Sequence, residues 1–366
     1  MMSPYRVSCV RCDDYDPAEV NRSLVETLAH LDVAFKSGMR VLVKPNLMSP
    51  VKPERAITTH PVVLEELCKI LKAAGVEILI GESAFYSTDH AFDVCDIAPL
   101  SRYARLINFE SEPRRFVPFG GKVGAVPLPE ILFQVDCIIN VAKMKTHGLT
   151  GVTLCVKNLY GCIPGALKQG YHKALPHPRS FSRFLIGLQS EIKPQLNIID
   201  GIMGLEGEGP GASGHPTRSG LVVAGASACA VDIIASEMMG FNPREIYTNQ
   251  HSGIRRSEIE TIGNGCDVRL SFKKPLSANF PYLIYFTKFL PRLRITFDNE
   301  LCVRCGLCGE KCPAGAIDFH PEPQCNHQRC ISCYCCLEVC PHSAVSLREH
   351  WIRRGLKNIA KMAMRG

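Results

Sequence analysis

Long apolar runs are missing from this 366-residue sequence. The longest, GLVVAGASACAVDIIASEMMG at 220–240, is broken by Asp232 and Glu237. A membrane helix needs about 20 apolar residues in succession. The stretch therefore reads as a buried strand, a small-residue turn and a helix. The opening MMSPYRVSCV holds no apolar h-region of a secretory signal. The expected location is the cytoplasm, with peripheral contact at the inner face of a membrane as the variant. Charge of one sign is scarce too. The formal net charge is +7, and most of it comes from Arg348, Arg353, Arg354, Lys357, Lys361 and Arg365 in the last stretch of chain. The remainder is nearly balanced, which speaks against a broad nucleic-acid-binding face. Two nucleotide signatures are also missing. There is no G-x-G-x-x-G in a strand–helix turn near the N-terminus, and no G-x-x-x-x-G-K-S/T. Neither a nicotinamide cofactor nor a P-loop nucleotide is signalled. A flavin is compatible with the sequence but not indicated by it.

Cysteine, in contrast, is abundant, and it is unevenly spread. Of 19 cysteines, nine lie in residues 1–296 and ten lie between Cys302 and Cys340. Without a secretory signal, a disulfide framework is not expected. A dense block in an intracellular chain points to metal or cluster binding. The block is an internal repeat: CVRCGLCGEKCP at 302–313 recurs as CISCYCCLEVCP at 330–341. Cys302 corresponds to Cys330, Cys305 to Cys333, Cys308 to Cys336, Cys312 to Cys340 and Pro313 to Pro341. Each half reads C-x2-C-x2-C-x3-C-P, the spacing of bacterial ferredoxins with two 4Fe-4S clusters, in which the fourth cysteine of each run serves the other cluster. That spacing assigns Cys302, Cys305, Cys308 and Cys340 to one cluster, and Cys330, Cys333, Cys336 and Cys312 to the second. Structural zinc also uses C-x2-C pairs. It does not require three cysteines at successive two-residue spacers plus a matched C-x3-C-P in both halves. Cys335 falls opposite Leu307 and Cys325 opposite Phe297, so both are spare. Isolated Cys68, Cys137, Cys155 and Cys229 read as small buried residues.

Residues 1–270 alternate short Val/Ile/Leu-rich runs with amphipathic stretches. YRVSCV, MRVLVKPN, VEILIGES, VDCIINVAK, LNIIDGI and GLVVAGA are strand-like. Asp16-Pro17 opens a helix-like stretch over 17–36, and His60-Pro61 opens another that stops at Gly75. This pattern predicts an α/β fold, a mostly parallel sheet flanked by helices. A connector rich in aromatics and proline follows at 271–297. A small α+β ferredoxin-like domain is expected at 298–347, and a basic amphipathic helix at 348–366.

Ligands in open α/β sheets sit beyond the carboxyl ends of the strands. Lys44 and Asn46 in VLVKPNL, and Lys143, Lys145, His147, Lys157 and Asn158 in NVAKMKTHGLTGVTLCVKNLYGCIPG, are the candidates. Lys168 and His172 follow. IIDGIMGLEGEGPGASG at 198–214 adds a glycine-rich loop with Asp200, Glu206 and Glu208. Lysines after strands and glycine-loop N–H groups suit a carboxylate or phosphate. Lys44, Asn46, Lys143, Lys157, Asn158 and Glu206 are the expected binding residues. Lys145, His147 and His172 are the expected catalytic ones, histidine because it titrates near neutral pH.

The V-K-P-N run at 43–46, the K-x-K-T-H run at 143–147, K-N-L-Y-G-C-x-P-G at 157–165 and D-G-I-x-G-x-E-G-x-G-P at 200–210 together resemble the family of the domain of unknown function DUF362, over about residues 39–255. The resemblance implies an α/β domain joined to a ferredoxin-type half with an iron–sulfur redox role. It supplies neither substrate nor mechanism. The resulting expectation is an oxidoreductase passing electrons through two 4Fe-4S clusters to or from a small anionic substrate. The alternatives are an electron carrier that docks a donor or acceptor protein, and a cofactor-maturation protein. A pure carrier has no need of a lysine- and histidine-rich site. Nothing in the sequence sets an oligomeric state.

Overall fold

The structure, a computed structural model, describes residues 5–85, 87–276 and 293–348. The proposed tail helix lies outside them beyond Arg348, as do residues 277–292 of the connector.

The N-terminal part contains strands β1 (Tyr5–Arg11), β2 (Arg40–Lys44), β3 (Glu77–Glu82), β4 (Arg105–Asn108), β5 (Arg114–Gly120), β6 (Gly124–Pro129), β7 (Cys137–His147), β8 (Gly151–Thr153), β9 (Leu196–Gly207), β10 (Gly214–Gly225) and β11 (Ile259–Ile262). Its helices are α1 (Pro17–His30), α2 (Pro61–Ala73), α3 (Thr88–Val94), α4 (Cys155–Asn158), α5 (Leu167–Ala174), α6 (Pro178–Ile192), α7 (Ala228–Met238) and α8 (Tyr247–Ser252). Nine strands form one sheet in the order β11-β1-β10-β9-β7-β2-β3-β4, with β8 added to β7. Most pairings are parallel; β1 with β10, β10 with β9 and β7 with β8 are antiparallel. The hairpin of β5 and β6 stands apart.

The middle of the sheet is buried on both faces, as helix-covered parallel strands must be. Every residue of β7 is buried. Its even positions Ile138, Ala142 and Met144 enter one core with helices α6 and α7. Its odd positions Cys137, Ile139 and Val141 enter another with α1 and α2. The helix starts are those written in the sequence. Asp16 Oδ1 accepts the Glu19 N–H at 3.0 Å with Pro17 following, and His60 Nδ1 accepts the Val62 N–H at 3.3 Å with Pro61 following. Helix α1 stops at His30 rather than 36, where Leu31 and Asp32 turn the chain.

Two expected loops are strand instead. Lys145 and His147 belong to β7, because antiparallel pairing with β8 prolongs the strand past its parallel section. The glycine-rich stretch is largely the β9–β10 hairpin, in which Gly214 pairs with Gly207 and only 208–213 turn.

The C-terminal part contains β12 (Arg294–Phe297), α9 (Leu307–Glu310), β13 (Ile317–Phe319), β14 (Pro323–Cys325), α10 (Cys335–Val339) and β15 (Val345–Arg348). It begins a few residues before 298, since β12 pairs with β15 and closes the unit. The sequence repeat is also a backbone repeat. Arg304, Gly306 and Gly315 have φ of 56°, 80° and 54°; the equivalent Ser332, Tyr334 and Ser343 have 55°, 64° and 56°. Left-handed backbone costs a non-glycine residue about 1 kcal/mol or more. Its recurrence at three matched places shows that both halves wrap their cysteines in the same way.

Helix α10 docks on the N-terminal part through the β9–β10 turn. Ser213 Oγ donates to the Val345 carbonyl at 3.0 Å, and Ser343 Oγ to the Ala212 carbonyl at 2.7 Å. A Cβ on Gly211 would lie 2.9 Å from the Glu338 carbonyl oxygen and 3.0 Å from that of Leu337. The glycine is thus required for close approach of two backbones. Gly211→Ala should lower stability by about 1–3 kcal/mol and increase proteolysis between the two parts. An unchanged melting temperature and cleavage pattern would contradict this docking.

Candidate functional site

A cavity of about 50 Å³ lies at the carboxyl ends of β2 and β3 and beside β7, closed on one side by α10. At about 10–15 Å³ per water, it has room for only a few heavy atoms. Lys145, Lys157 and Lys168 face it, with Asn46, Ser83, Asn158 and Tyr160; Glu82 and Glu338 are its acids.

Each lysine is placed differently. Lys145 is fully buried on β7. Its Nζ donates to Asn46 Oδ1 at 2.8 Å and to the Ile57 carbonyl at 2.7 Å. Burial, reinforced by neighbouring Lys157, pushes its amine down to about 7. Lys157 sits in α4, whose first N–H groups are held by Asp232: Cys155 N–H at 2.7 Å and Val156 N–H at 3.0 Å. Its Nζ lies 4.6 Å from the Tyr160 ring centroid, a cation–π contact. Burial lowers its amine while Glu338 opposes the shift. Lys168 donates to the Ser83 carbonyl, and burial brings its amine down to about 8.

Glu82 is already paired, with Lys44 Nζ at 2.7 Å. A Cβ on Gly161 would fall 2.5 Å from Glu82 Oε1 and 2.7 Å from Lys44 Nζ, which explains the glycine in the K-N-L-Y-G-C run. With Glu82 committed to Lys44, three lysines face Glu338, and the cavity is cationic. Glu338 comes from α10, two residues past Cys336. Its Oε1 lies 3.3 Å from His147 Nε2.

The expected residues divide accordingly. Asn46, Lys145, Lys157 and Asn158 line the cavity, and Lys44 touches it through Glu82. Lys143 does not: its Nζ binds Asp200 Oδ2 at 2.8 Å and Tyr15 Oη at 2.6 Å, a buried pair that links β7 to β9. Glu206 accepts the Lys273 N–H at 2.8 Å and ties down the chain after β11. His147 is buried behind Glu338. Its Nδ1 accepts the Leu149 N–H at 3.0 Å, so its proton sits on Nε2, toward Glu338. Burial holds its pKa well below the usual histidine value. No hydrogen bond joins its Nε2 to Glu338, and it does not line the cavity.

His172 is also removed from the cavity. It stacks on Phe181 with centroids 4.5 Å apart and meets Tyr160 edge-on at 5.4 Å. Burial lowers its pKa to about 3, so it packs as a neutral ring. His172→Phe, close in volume, should change stability by less than about 1.5 kcal/mol and leave anion binding intact. Loss of binding in a well-folded variant would restore its catalytic assignment. Glu82, Tyr160 and Glu338 are absent from the expected site residues, and Lys168 is among the candidates without an expected role. Glu82 had a signal, since it ends a strand. Glu338 had none, because it fills a spacer in the cysteine motif.

The cysteines line two further cavities. Cys302, Cys305, Cys308 and Cys340 surround one with Phe297 and Phe319. Cys312, Cys330, Cys333 and Cys336 surround the other, together with Cys325 and Cys335. Each gathers the four cysteines of its assigned set, the fourth drawn from the opposite run, and His342 also lines the first. That donor set fits a 4Fe-4S cluster.

The model of the domain of unknown function DUF362 matches residues 41–237. That of the 4Fe-4S binding domain matches residues 295–318. The chain is 31% identical over 247 residues to a thylakoid-associated protein of Synechocystis sp., covering 66% of this chain and 77% of that protein. Among solved structures, the lactate racemase apoprotein of Thermoanaerobacterium thermosaccharolyticum aligns at a TM-score of 0.30 and 16% identity, over 59% of this chain and 54% of that one. The chain thus spans about half the length of that structure.

Proposed function

The chain belongs to the DUF362 family, and from that premise we propose that it is an oxidoreductase exchanging electrons with a small anionic ligand held in the lysine-lined cavity. Its 4Fe-4S domain makes it an iron–sulfur electron-transfer protein; the second cluster, the anion and the catalysis are our reading. One observation carries it. Helix α10 bears Cys336 on the cysteine-lined cavity and Glu338 on the lysine-lined one, so the two cavities share a single short wall. The repeated left-handed positions support a cluster in each half. Clusters bound by the two cysteine sets would supply single electrons at that wall.

The chain's own residues would do the rest. Lys157 and Lys168 attract and hold the anionic group. Lys145, whose amine titrates near neutral pH, gives or takes a proton. Tyr160 and the docked α10 keep water out. Reduce the anaerobic protein chemically, then screen small carboxylates and phosphates for reoxidation of its visible absorbance. We expect turnover with at least one acceptor, abolished in Lys145→Ala while cluster absorbance persists. No acceptor, together with fast electron exchange to a partner reductase, would establish the carrier function instead.

A further inference from the structure

We infer that Lys145 is a nucleophilic amine that condenses with the carbonyl carbon of a short oxo acid held in the cavity. The inference rests on the anion-binding reading above and gives its ligand a chemical class.

The argument begins with the hydrogen bonds of Lys145. Its Nζ has two close acceptors, Asn46 Oδ1 and the Ile57 carbonyl, and both are neutral. Among the described residues it makes no ion pair, whereas Lys44 and Lys143 each contact a carboxylate. A neutral amine has two N–H groups and one lone pair. Two acceptors use both N–H groups and leave the lone pair over. An ammonium would bring a third N–H with no acceptor, in a fully buried place, at a cost of about 1–3 kcal/mol. Burial and the charge of Lys157 push the group the same way, to about 7. A desolvated lysine beside another cation is a recognised form of activated nucleophile.

Asn46 is held so that its oxygen, not its nitrogen, meets the amine. Asn197 Nδ2 donates to the Ala226 carbonyl at 3.0 Å, which can only accept. Asn197 Oδ1 therefore accepts from Asn140 Nδ2 at 3.0 Å, Asn140 Oδ1 from Asn158 Nδ2 at 2.8 Å, and Asn158 Oδ1 from Asn46 Nδ2 at 3.0 Å. Four amides in series fix the polarity, and their last oxygen faces Lys145. Asn46, Asn140, Asn158 and Asn197 are positioning residues for that amine.

The ligand class follows from the neighbour. Lys157 Nζ has no hydrogen-bond acceptor among the described residues, only the Tyr160 and Phe181 rings. It is available to a carboxylate. A carboxylate on Lys157 with a carbonyl toward Lys145, within about 50 Å³, describes a short oxo acid. In the step, the Nζ lone pair forms a bond to the carbonyl carbon. The carbonyl oxygen takes the two amine hydrogens and leaves as water, and an imine joins Lys145 to the acid. No electrons are gained or lost.

Treat the full, cluster-loaded protein anaerobically at pH 7 with glyoxylate and cyanoborohydride, then map the products by peptide mass spectrometry. We expect carboxymethylation at Lys145 ahead of every exposed lysine. Asn46→Asp sets a carboxylate against the amine, and each unit of raised pKa should cut labelling at pH 7 about tenfold, with recovery at higher pH. Labelling spread over surface lysines and absent at Lys145 overturns the inference. The two readings fail separately. Lys145-dependent reoxidation by a carboxylate without labelling removes the nucleophile and leaves the oxidoreductase. Labelling at Lys145 without any electron acceptor does the opposite.

Discussion

Lys157→Gln should weaken small-carboxylate binding by roughly 10- to 100-fold, the equivalent of about 1.5–3 kcal/mol for a hydrogen bond to a charged group. Calorimetric titration with a non-reacting carboxylate such as acetate would read it. Glutamine keeps most of the stem that packs over Tyr160 and Phe181, so the comparison isolates the charge. The large effect is expected because the ammonium is the cavity cation with no acceptor of its own among the described residues. Lys44 is neutralised by Glu82, and Lys168 is engaged by the Ser83 carbonyl. An unchanged dissociation constant would remove Lys157 as the anchor, and with it the cationic reading of the cavity. The pH dependence is set by a different residue. The Lys145 amine is lowered from its ordinary value to about 7, so its lone pair is free above that pH and protonated below. Turnover that needs the free amine should climb about tenfold per pH unit below 7 and level off above it. Turnover that needs the ammonium would fall across the same range, so the sign of the slope distinguishes the two roles.

The parts of this molecule that the sequence discloses are those governed by local pattern. Proline at the first helical turn, with Asp16 or His60 before it, sets the starts of α1 and α2. Uninterrupted Val/Ile/Leu runs mark strands covered on both faces. Cysteine spacing marks the ferredoxin-like half, because a cluster demands several thiolates at short, fixed spacers. The elements less visible depend on partners distant in the chain. β7 runs on through Lys145 and His147 only because β8 folds back on it. The glycine-rich stretch suggests an anion cradle, yet Gly211 is there to let α10 approach. The same distance explains the site. Lys143 and Lys145 look equivalent in K-x-K-T-H, but Asp200 takes one and an amide chain takes the other. His172 looks like a proton carrier until Tyr160 and Phe181 enclose it. Glu338 could not be read at all, since its role exists only once the two halves are packed together.

Cys336→Ser should lose about half of the bound iron, and Cys335→Ser none, if each half of the repeat holds its own four-iron cluster. Both thiols are buried and both border the same cavity, so burial does not choose between them. The repeat does. Cys336 is the equivalent of Cys308, and the two sit one residue into the matched helices α9 and α10. Cys335 is the equivalent of Leu307, and no thiol occupies that place in the first half. The backbone before it agrees: Tyr334 takes the left-handed conformation of Gly306, so the turn that presents the third cysteine is the same in both loops. Cys335 stands near Lys157 and Tyr160, between the cysteine-lined and lysine-lined cavities, where a small residue lets them lie close. Serine there adds a hydroxyl in need of a partner, so a stability loss of about 1 kcal/mol is expected with the iron retained. Iron analysis and visible absorbance of the two variants decide the matter. Iron lost from Cys335→Ser but kept in Cys336→Ser would shift the ligand set by one residue. Iron unchanged in Cys336→Ser but absent from Cys308→Ser would mean one cluster, confined to the half that the 4Fe-4S domain matches. In that last case the cluster held through Cys336 would be missing, and the electron path to the lysine-lined cavity would lose its final step.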